Sequence, residues 1–178
     1  VTTANLTDSS TFVNVENLDN LKSLGSGNTT YETKYNPKLL EYFENPQQTT
    51  PYEIDISAPE FTTTCPKTGQ PDFATILIQY WPEKRCLESK SLKLYLGSFR
   101  NEGMFHEKCV NIIAKDLYDL LEPWEITVVG QFASRGGISF HPTVTLRKPE
   151  QVTSTEWNET FECPPDDKQK NLFKVGGE

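Results

Sequence analysis

The sequence predicts an α+β domain: a layer of four strands with two helices on one of its faces. Three observations predict it. Apolar residues alternate at a spacing of two through Tyr52–Phe61 and again through Phe73–Trp81. From Ser91 the spacing becomes helical, with Leu92, Tyr95, Leu96 and Phe99 at i, i+3, i+4 and i+7. Strand-like runs return at Ile126–Phe132 and Ile138–Leu146. The order β-β-α-α-β-β makes an α+β layer, since each helix has one apolar stripe to bury and the sheet offers a face for it.

Taken in order, residues 1–23 are polar without periodicity and read as a flexible N-terminal arm. The domain itself is expected over 24–149, and a polar tail over 150–178. Leu39-Leu40-Glu41-Tyr42-Phe43 is a short apolar patch, expected to form one or two helical turns. The first strand, Tyr52–Phe61, is punctuated by Pro59. The second, Phe73–Trp81, carries Ala74, Ile76, Ile78 and Tyr80 on one face and Phe73, Leu77 and Trp81 on the other, so it reads as covered on both sides and ended by Pro82. Ser89 or Ser91 is the expected N-cap of the first helix, which Asn101–Gly103 breaks. Phe105, Cys109, Ile112, Ile113, Leu117, Leu120 and Leu121 give the second helix a broad stripe up to Pro123. The last two strands meet at Ser134-Arg135-Gly136-Gly137.

At 178 residues the chain is expected to build one core. A net charge of −8 argues against a general nucleic-acid binder, and any anionic cofactor must meet a local cationic cluster. No apolar run is long enough to span a bilayer, and Val1–Ser10 lacks the pattern of a secretory signal. A cytoplasmic setting with reduced thiols is therefore the expectation. The four cysteines (65, 86, 109 and 163) form no C-x-x-C pair, and His106 and His141 are the only histidines, so no metal site is expected. His141 is read as structural.

Chemistry concentrates in four segments. Cys65-Pro66-Lys67-Thr68-Gly69-Gln70-Pro71-Asp72-Phe73 sets one thiol and one carboxylate around a turn whose prolines and glycine define the backbone. A nucleophile with a proton donor and an inert cysteine before a turn are both open from these residues alone. A nucleophilic thiol needs an activator, and Asp72 would oppose it unless kept neutral in an apolar pocket. Glu88 is suited to accept two adjacent N–H donors of a guanine-like base. Lys90 and Lys93 lie one turn apart at a helix start, where cations oppose the dipole; a phosphate held there by both and by backbone N–H groups would remove the inconsistency. A solvated surface face explains them equally. Phe105-His106-Glu107 opens the second helix, and Arg135-Gly136-Gly137 places a guanidinium on a tight turn. No G-x-G-x-x-G occurs, so a Rossmann dinucleotide site is not available.

These blocks, above all Cys65–Phe73 and Glu88-Ser89-Lys90-Ser91-Leu92-Lys93-Leu94-Tyr95, closely resemble the NADPH-dependent 7-cyano-7-deazaguanine reductases, the nitrile reductases of queuosine biosynthesis, in their single-module form. The resemblance runs from about Leu24 to Pro149. It implies the tunnelling fold, an antiparallel sheet with two helices on one face. Subunits of that fold join edge to edge into a barrel, with two stacked rings as one possible arrangement. It implies NADPH as cofactor and 7-cyano-7-deazaguanine as substrate, with no direct nucleic-acid or membrane partner. It assigns Cys65 to a covalent thioimide with the nitrile, Asp72 to proton supply and His106 to proton handling or orientation. It assigns Leu87, Glu88, Ser89, Phe105, His106 and Glu107 to the substrate, and Ser89, Lys90, Lys93, Arg135 and Gly136 to the cofactor. Three rival readings remain beside it. One is an amidinotransferase-like relative that forms a thioimide without hydride transfer, and another a zinc-dependent cyclohydrolase acting on GTP, disfavoured by the scarce histidines. The third is a non-catalytic purine- or pterin-binding protein. Cys109 follows His106 by three residues. It is either a resolving cysteine for an oxidised Cys65 or an apolar core residue.

Overall fold

The computed structural model describes Leu21 and residues 31–149, and the elements below lie in one compact unit ending at Lys148. The expected arm and tail fall outside the described residues, apart from the buried Leu21. A 3-10 turn at Pro37–Leu39, capped by the Asn36 side chain, leads into β1 (Tyr42–Glu44). Then come β2 (Ile54–Thr64), β3 (Pro71–Trp81), β4 (Arg85–Leu87), α1 (Ser89–Gly97), α2 (His106–Leu121), β5 (Glu125–Phe132) and β6 (Thr143–Arg147). Four strands form an antiparallel sheet in the order β2-β3-β5-β6, and β1 pairs separately with β4. The α+β expectation therefore holds, with both helices between β3 and β5 in the chain.

Residues alternate along β3 as predicted: Asp72, Ala74, Ile76, Ile78 and Tyr80 are buried. They meet Leu92, Tyr95 and Leu96 of α1 and Val110, Ile113, Ala114, Leu117 and Leu121 of α2 in one core. The α2 residues are all fully buried. Each of the larger ones contributes about 1.5–3 kcal/mol of transfer free energy, so the stripe, more than helix propensity, holds α2 in place. Tyr35 and Tyr95 donate to the same Asp116 oxygen, at 2.7 and 2.6 Å, which ties α1 and the preceding loop to α2.

Four local expectations are corrected. β3 is covered on one face only within this chain: Phe73 is 58% exposed, and Leu77 and Trp81 are half-buried. Of the Leu39–Phe43 patch only Leu39 is helical, ending the 3-10 turn; its second half pairs with β4, a long-range choice that local spacing does not encode. The N-cap of α1 is Glu88, not a serine. Glu88 accepts from the N–H groups of Lys90 and Ser91 at 2.9 and 2.6 Å, while the Ser91 hydroxyl donates to the Glu88 carbonyl. β6 begins at Thr143 rather than Ile138, because Pro142 has no N–H to donate to a ladder. Ile138–Pro142 instead forms the return arm of a hairpin, with Phe132 N–H and Gly130 N–H donating to the Phe140 and Pro142 carbonyls.

Candidate active site

The loop between β2 and β3 closes on itself. Cys65 N–H donates to the Gln70 carbonyl at 2.8 Å and Gly69 N–H to the Cys65 carbonyl at 2.9 Å, with Gly69 at φ +68°. Glycine takes that φ without the clash a Cβ would bring. A second segment anchors the loop from the side. Thr64 N–H donates to the Glu102 carbonyl and Met104 N–H to the Thr64 carbonyl, each at 3.1 Å. A Cβ on Gly103 would stand 3.2 Å from the Pro66 backbone. Asn101–Gly103, which reads in the sequence as a helix breaker, is thus what brings Phe105, His106 and Glu107 beside Cys65. The β5 end completes the site. Arg135 and Ile138 exchange backbone hydrogen bonds across Gly136 (φ +58°) and Gly137 (φ +80°), a two-residue hairpin turn with both central residues left-handed.

These three segments surround a cavity of about 250 Å³ lined by Cys65, Asp72, Phe105, His106, Glu107 and Arg135, with Ile138 and Phe140 at its edge. Asp72 is buried, yet its surroundings are not apolar. One carboxylate oxygen carries the Arg135 guanidinium as an ion pair and lies 3.3 Å from His106 Nε2. The apolar pocket expected around Asp72 is therefore not what surrounds it: its carboxyl group meets the Arg135 guanidinium and the His106 ring. The His106 ring stacks on Phe132, with centroids 3.8 Å apart and planes 8° from parallel, which sets its orientation. The Cys65 thiol is partly exposed and lowered to about 7. The Thr68 hydroxyl is the largest cause, followed by the backbone N–H groups of Lys67 and Thr68; desolvation acts the other way, and the Arg135 guanidinium is the smallest cause. The activator is thus mainly the thiol's own turn. Near neutral pH such a thiol is substantially ionised, as a nucleophile requires. Cys109, by contrast, is fully buried in the core and pushed up to about 12 by burial. Cys86 is also buried, 3.3 Å from the Tyr52 hydroxyl, and Cys163 lies outside the described residues.

The remaining expected site residues sit elsewhere in this chain. Leu87, Glu88, Ser89, Lys90 and Lys93 lie around the N-terminus of α1, and none lines the Cys65 cavity. α1, nine residues and about 13 Å long, separates that terminus from the Phe99–Gly103 segment beside Cys65. The Glu88 carboxylate occupies the first-turn N–H groups that a phosphate was expected to take, and its charge offsets the conflict between Lys90, Lys93 and the helix dipole. Ser89 and Lys93 are exposed. Arg135, expected beside Lys90 at the cofactor, lies instead on Asp72. Gly136 is exposed at the hairpin tip, and His141 is exposed beyond the cavity. A larger groove of about 660 Å³ between α2 and β6 contains no thiol.

A lowered thiol beside the buried Asp72 and the half-buried His106 and Arg135, on an α+β layer, provides the groups that nucleophilic cysteine chemistry uses. The family model for the QueF-like protein matches residues 71–151. An NADPH-dependent 7-cyano-7-deazaguanine reductase of Bacillus thuringiensis is 53% identical over 134 residues, which are 75% of this chain and 81% of that protein. The reductase of the same name from Bacillus cytotoxicus is 52% identical over the same shares. A crystal structure of the archaeosine synthase QueF-Like in the apo form is 14% identical, with a TM-score of 0.49, and covers 56% of this chain and 95% of that one. The chain belongs to the NADPH-dependent 7-cyano-7-deazaguanine reductase family.

Proposed function

We infer that this protein is an oxidoreductase of queuosine biosynthesis that reduces the nitrile of 7-cyano-7-deazaguanine to the aminomethyl group at the expense of NADPH, with Cys65 as nucleophile. Family membership supports the reaction, and the single observation that carries the site is the lowered thiol of Cys65 opening into one cavity with Asp72 and His106. The conversion takes four electrons, which two NADPH molecules supply as two hydrides. The residues of the chain bind, orient and move protons. The Cys65 thiolate forms a C–S bond to the nitrile carbon, and the nitrile nitrogen takes up one proton, giving the thioimide. Asp72 and His106 share the Cys65 cavity, so either can hold a proton for that nitrogen, and their contact at 3.3 Å lets one reload the other. The C–S bond later breaks to return the thiolate.

Ser89, Lys90 and Lys93 fit an anionic cofactor through their side chains, since the backbone donors of that turn are already taken. Leu87, Glu88 and Ser89 can serve the substrate only if they reach a Cys65 cavity, and their own is a helix length away. The site is therefore composite, with the α1 terminus of one copy completing the Cys65 cavity of another. Two features support this: a rim of exposed Phe105, Ile138 and Phe140 around the cavity, and a sheet whose outer strands β2 and β6 have no further partner among the described residues. A homo-oligomer joined edge to edge satisfies both.

The test is incubation of wild type and Cys65→Ala with the nitrile, with and without NADPH, following NADPH absorbance and intact mass. Wild type is expected to show an adduct without NADPH and turnover with it, and Cys65→Ala to show neither. An adduct without NADPH oxidation would point to the amidinotransferase-like reading, and turnover in Cys65→Ala would refute the thioimide.

A further inference from the structure

We propose that Thr63 is a positioning residue for the reaction: its hydroxyl seats the start of α2, and with it His106 and Glu107, against the Cys65 loop. The inference rests on the reading of Cys65 as nucleophile and concerns what holds the other groups of the site beside it. Thr63 is fully buried near the end of β2, on the same face of the sheet as Phe61 and Ala74. Alternation reserves that face for apolar residues, so a hydroxyl there needs a reason. A buried hydroxyl also needs an acceptor, and this one donates to the Glu102 carbonyl at 2.6 Å. The residue opposite Thr63 in the β2–β3 register is Asp72, and side chains paired in this way share a face with their Cβ atoms about 5 Å apart.

α2 does not place its own first turn. Its N-cap, Phe105, makes no side-chain hydrogen bond to the helix, so His106 and Glu107 lie where the preceding segment sets them. That segment is fastened to β2 at three points. The Glu102 carbonyl accepts both the Thr63 hydroxyl and, at 3.1 Å, the Thr64 N–H; Met104 N–H donates to the Thr64 carbonyl at 3.1 Å. Two donors occupy both lone pairs of the one carbonyl, which fixes the plane of that peptide. Of the three fastenings only the hydroxyl is specified by residue type, since the other two are backbone to backbone. On its other side Glu102 accepts the Tyr35 N–H through its carboxylate at 2.9 Å. Phe105 alone then separates Met104 from His106. Cys65, by contrast, is held by its own turn through Gln70 and Gly69. Loss of the Thr63 hydroxyl therefore acts on His106 and Glu107 and spares the thiol. His106 Nε2 lies 3.3 Å from the Asp72 carboxylate, and a misplacement of about 1 Å in a reacting geometry can cost on the order of 10²-fold in rate.

The experiment compares two pairs of proteins that differ by the hydroxyl: wild type with Thr63→Val, and Thr63→Ser with Thr63→Ala. Turnover is followed by NADPH oxidation, with the nitrile and NADPH varied in turn. Cys65 reactivity is followed by its rate of alkylation by iodoacetamide at neutral pH, located by peptide mass mapping. In Thr63→Val, kcat is expected to fall about ten- to hundredfold and the KM for the nitrile to rise. The KM for NADPH and the alkylation rate are expected to stay at their wild-type values. Thr63→Ser is expected to keep most of the wild-type kcat and Thr63→Ala to lose it, so the smaller pair reads the hydroxyl even if Thr63→Val does not fold. A wild-type kcat in Thr63→Val, or the same kcat in Thr63→Ser and Thr63→Ala, would overturn the proposal. So would a loss of kcat matched by an equal loss of alkylation rate, because the hydroxyl would then support the Cys65 loop rather than the start of α2. A wild-type protein that does not oxidise NADPH with the nitrile would instead overturn the reading of the reaction.

Discussion

Gly130 offers the sharpest test of how the core sets the geometry of the site. It lies in β5 facing α2, and a Cβ added there would stand 2.6 Å from Val110 Cγ2 and 2.7 Å from Phe132 Cε2. Carbon atoms in contact prefer about 3.5–4.0 Å, so Gly130→Ala must push something by roughly 1 Å. Val110 cannot turn aside: it is fully buried on α2, where β-branched side chains hold one χ1 rotamer. Phe132 can move only by leaving its 3.8 Å stack with His106. Overpacking of this kind costs about 1–3 kcal/mol. With a urea m-value of about 2 kcal/mol/M, the midpoint falls by about 0.5–1.5 M at unchanged m, measured at fixed protein concentration because association contributes to stability. Val110→Ala removes the methyl that clashes. The double variant should therefore lose less than the sum of the singles, by about 1 kcal/mol or more. The turnover number of Gly130→Ala should also fall, and Val110→Ala in the same chain should restore part of it. A midpoint equal to wild type, or singles that add within about 0.5 kcal/mol, would refute the steric argument and with it the claim that Phe132 packing orients His106.

Two further outcomes follow from the site. Asp72→Asn removes the carboxylate that faces Arg135 and His106; the Cys65 adduct should still form in part, while turnover falls about 10²- to 10⁴-fold. Retention of the wild-type rate would reduce Asp72 to a turn residue. Lys90→Ala and Lys93→Ala should raise the KM for NADPH with little change in nitrile affinity, and the effect should shrink as salt is added, since Lys93 is exposed. If nitrile affinity falls while the KM for NADPH holds, the two ligands have been assigned to the wrong ends of the composite site.

The order of strands and helices was legible in the sequence because each main element carries its own period. A two-residue alternation marks the buried face of β3, and a helical stripe marks Cys109–Leu121. The segments that carry chemistry were legible too, through residue type and motif. Three things were not. β1 and β4 are three residues each and exist only as partners of one another, so no local window contains their signal. Glu88 as the cap of α1 was masked, since serine is a usual N-cap and glutamate is not, and two serines follow directly. The covering of β3 on a single face depends on where α1 and α2 dock.

The sequence by itself determined the family, the α+β order and the identity of the thiol, carboxylate, imidazole and guanidinium, because these are properties of residue type and spacing. Only the tertiary structure decided which of them meet. Cys65 and Asp72 flank one loop, whereas His106 and Arg135 are far from it in sequence, and all four converge where the β2–β3 loop, the start of α2 and the β5 hairpin come together. Lys90 and Lys93, closer to Cys65 in sequence than Arg135 is, are set apart by the length of α1. The physical reason is that charge pairing acts through space at a few ångströms, and which charges come that close is settled by long-range packing of an apolar core rather than by neighbours in the chain.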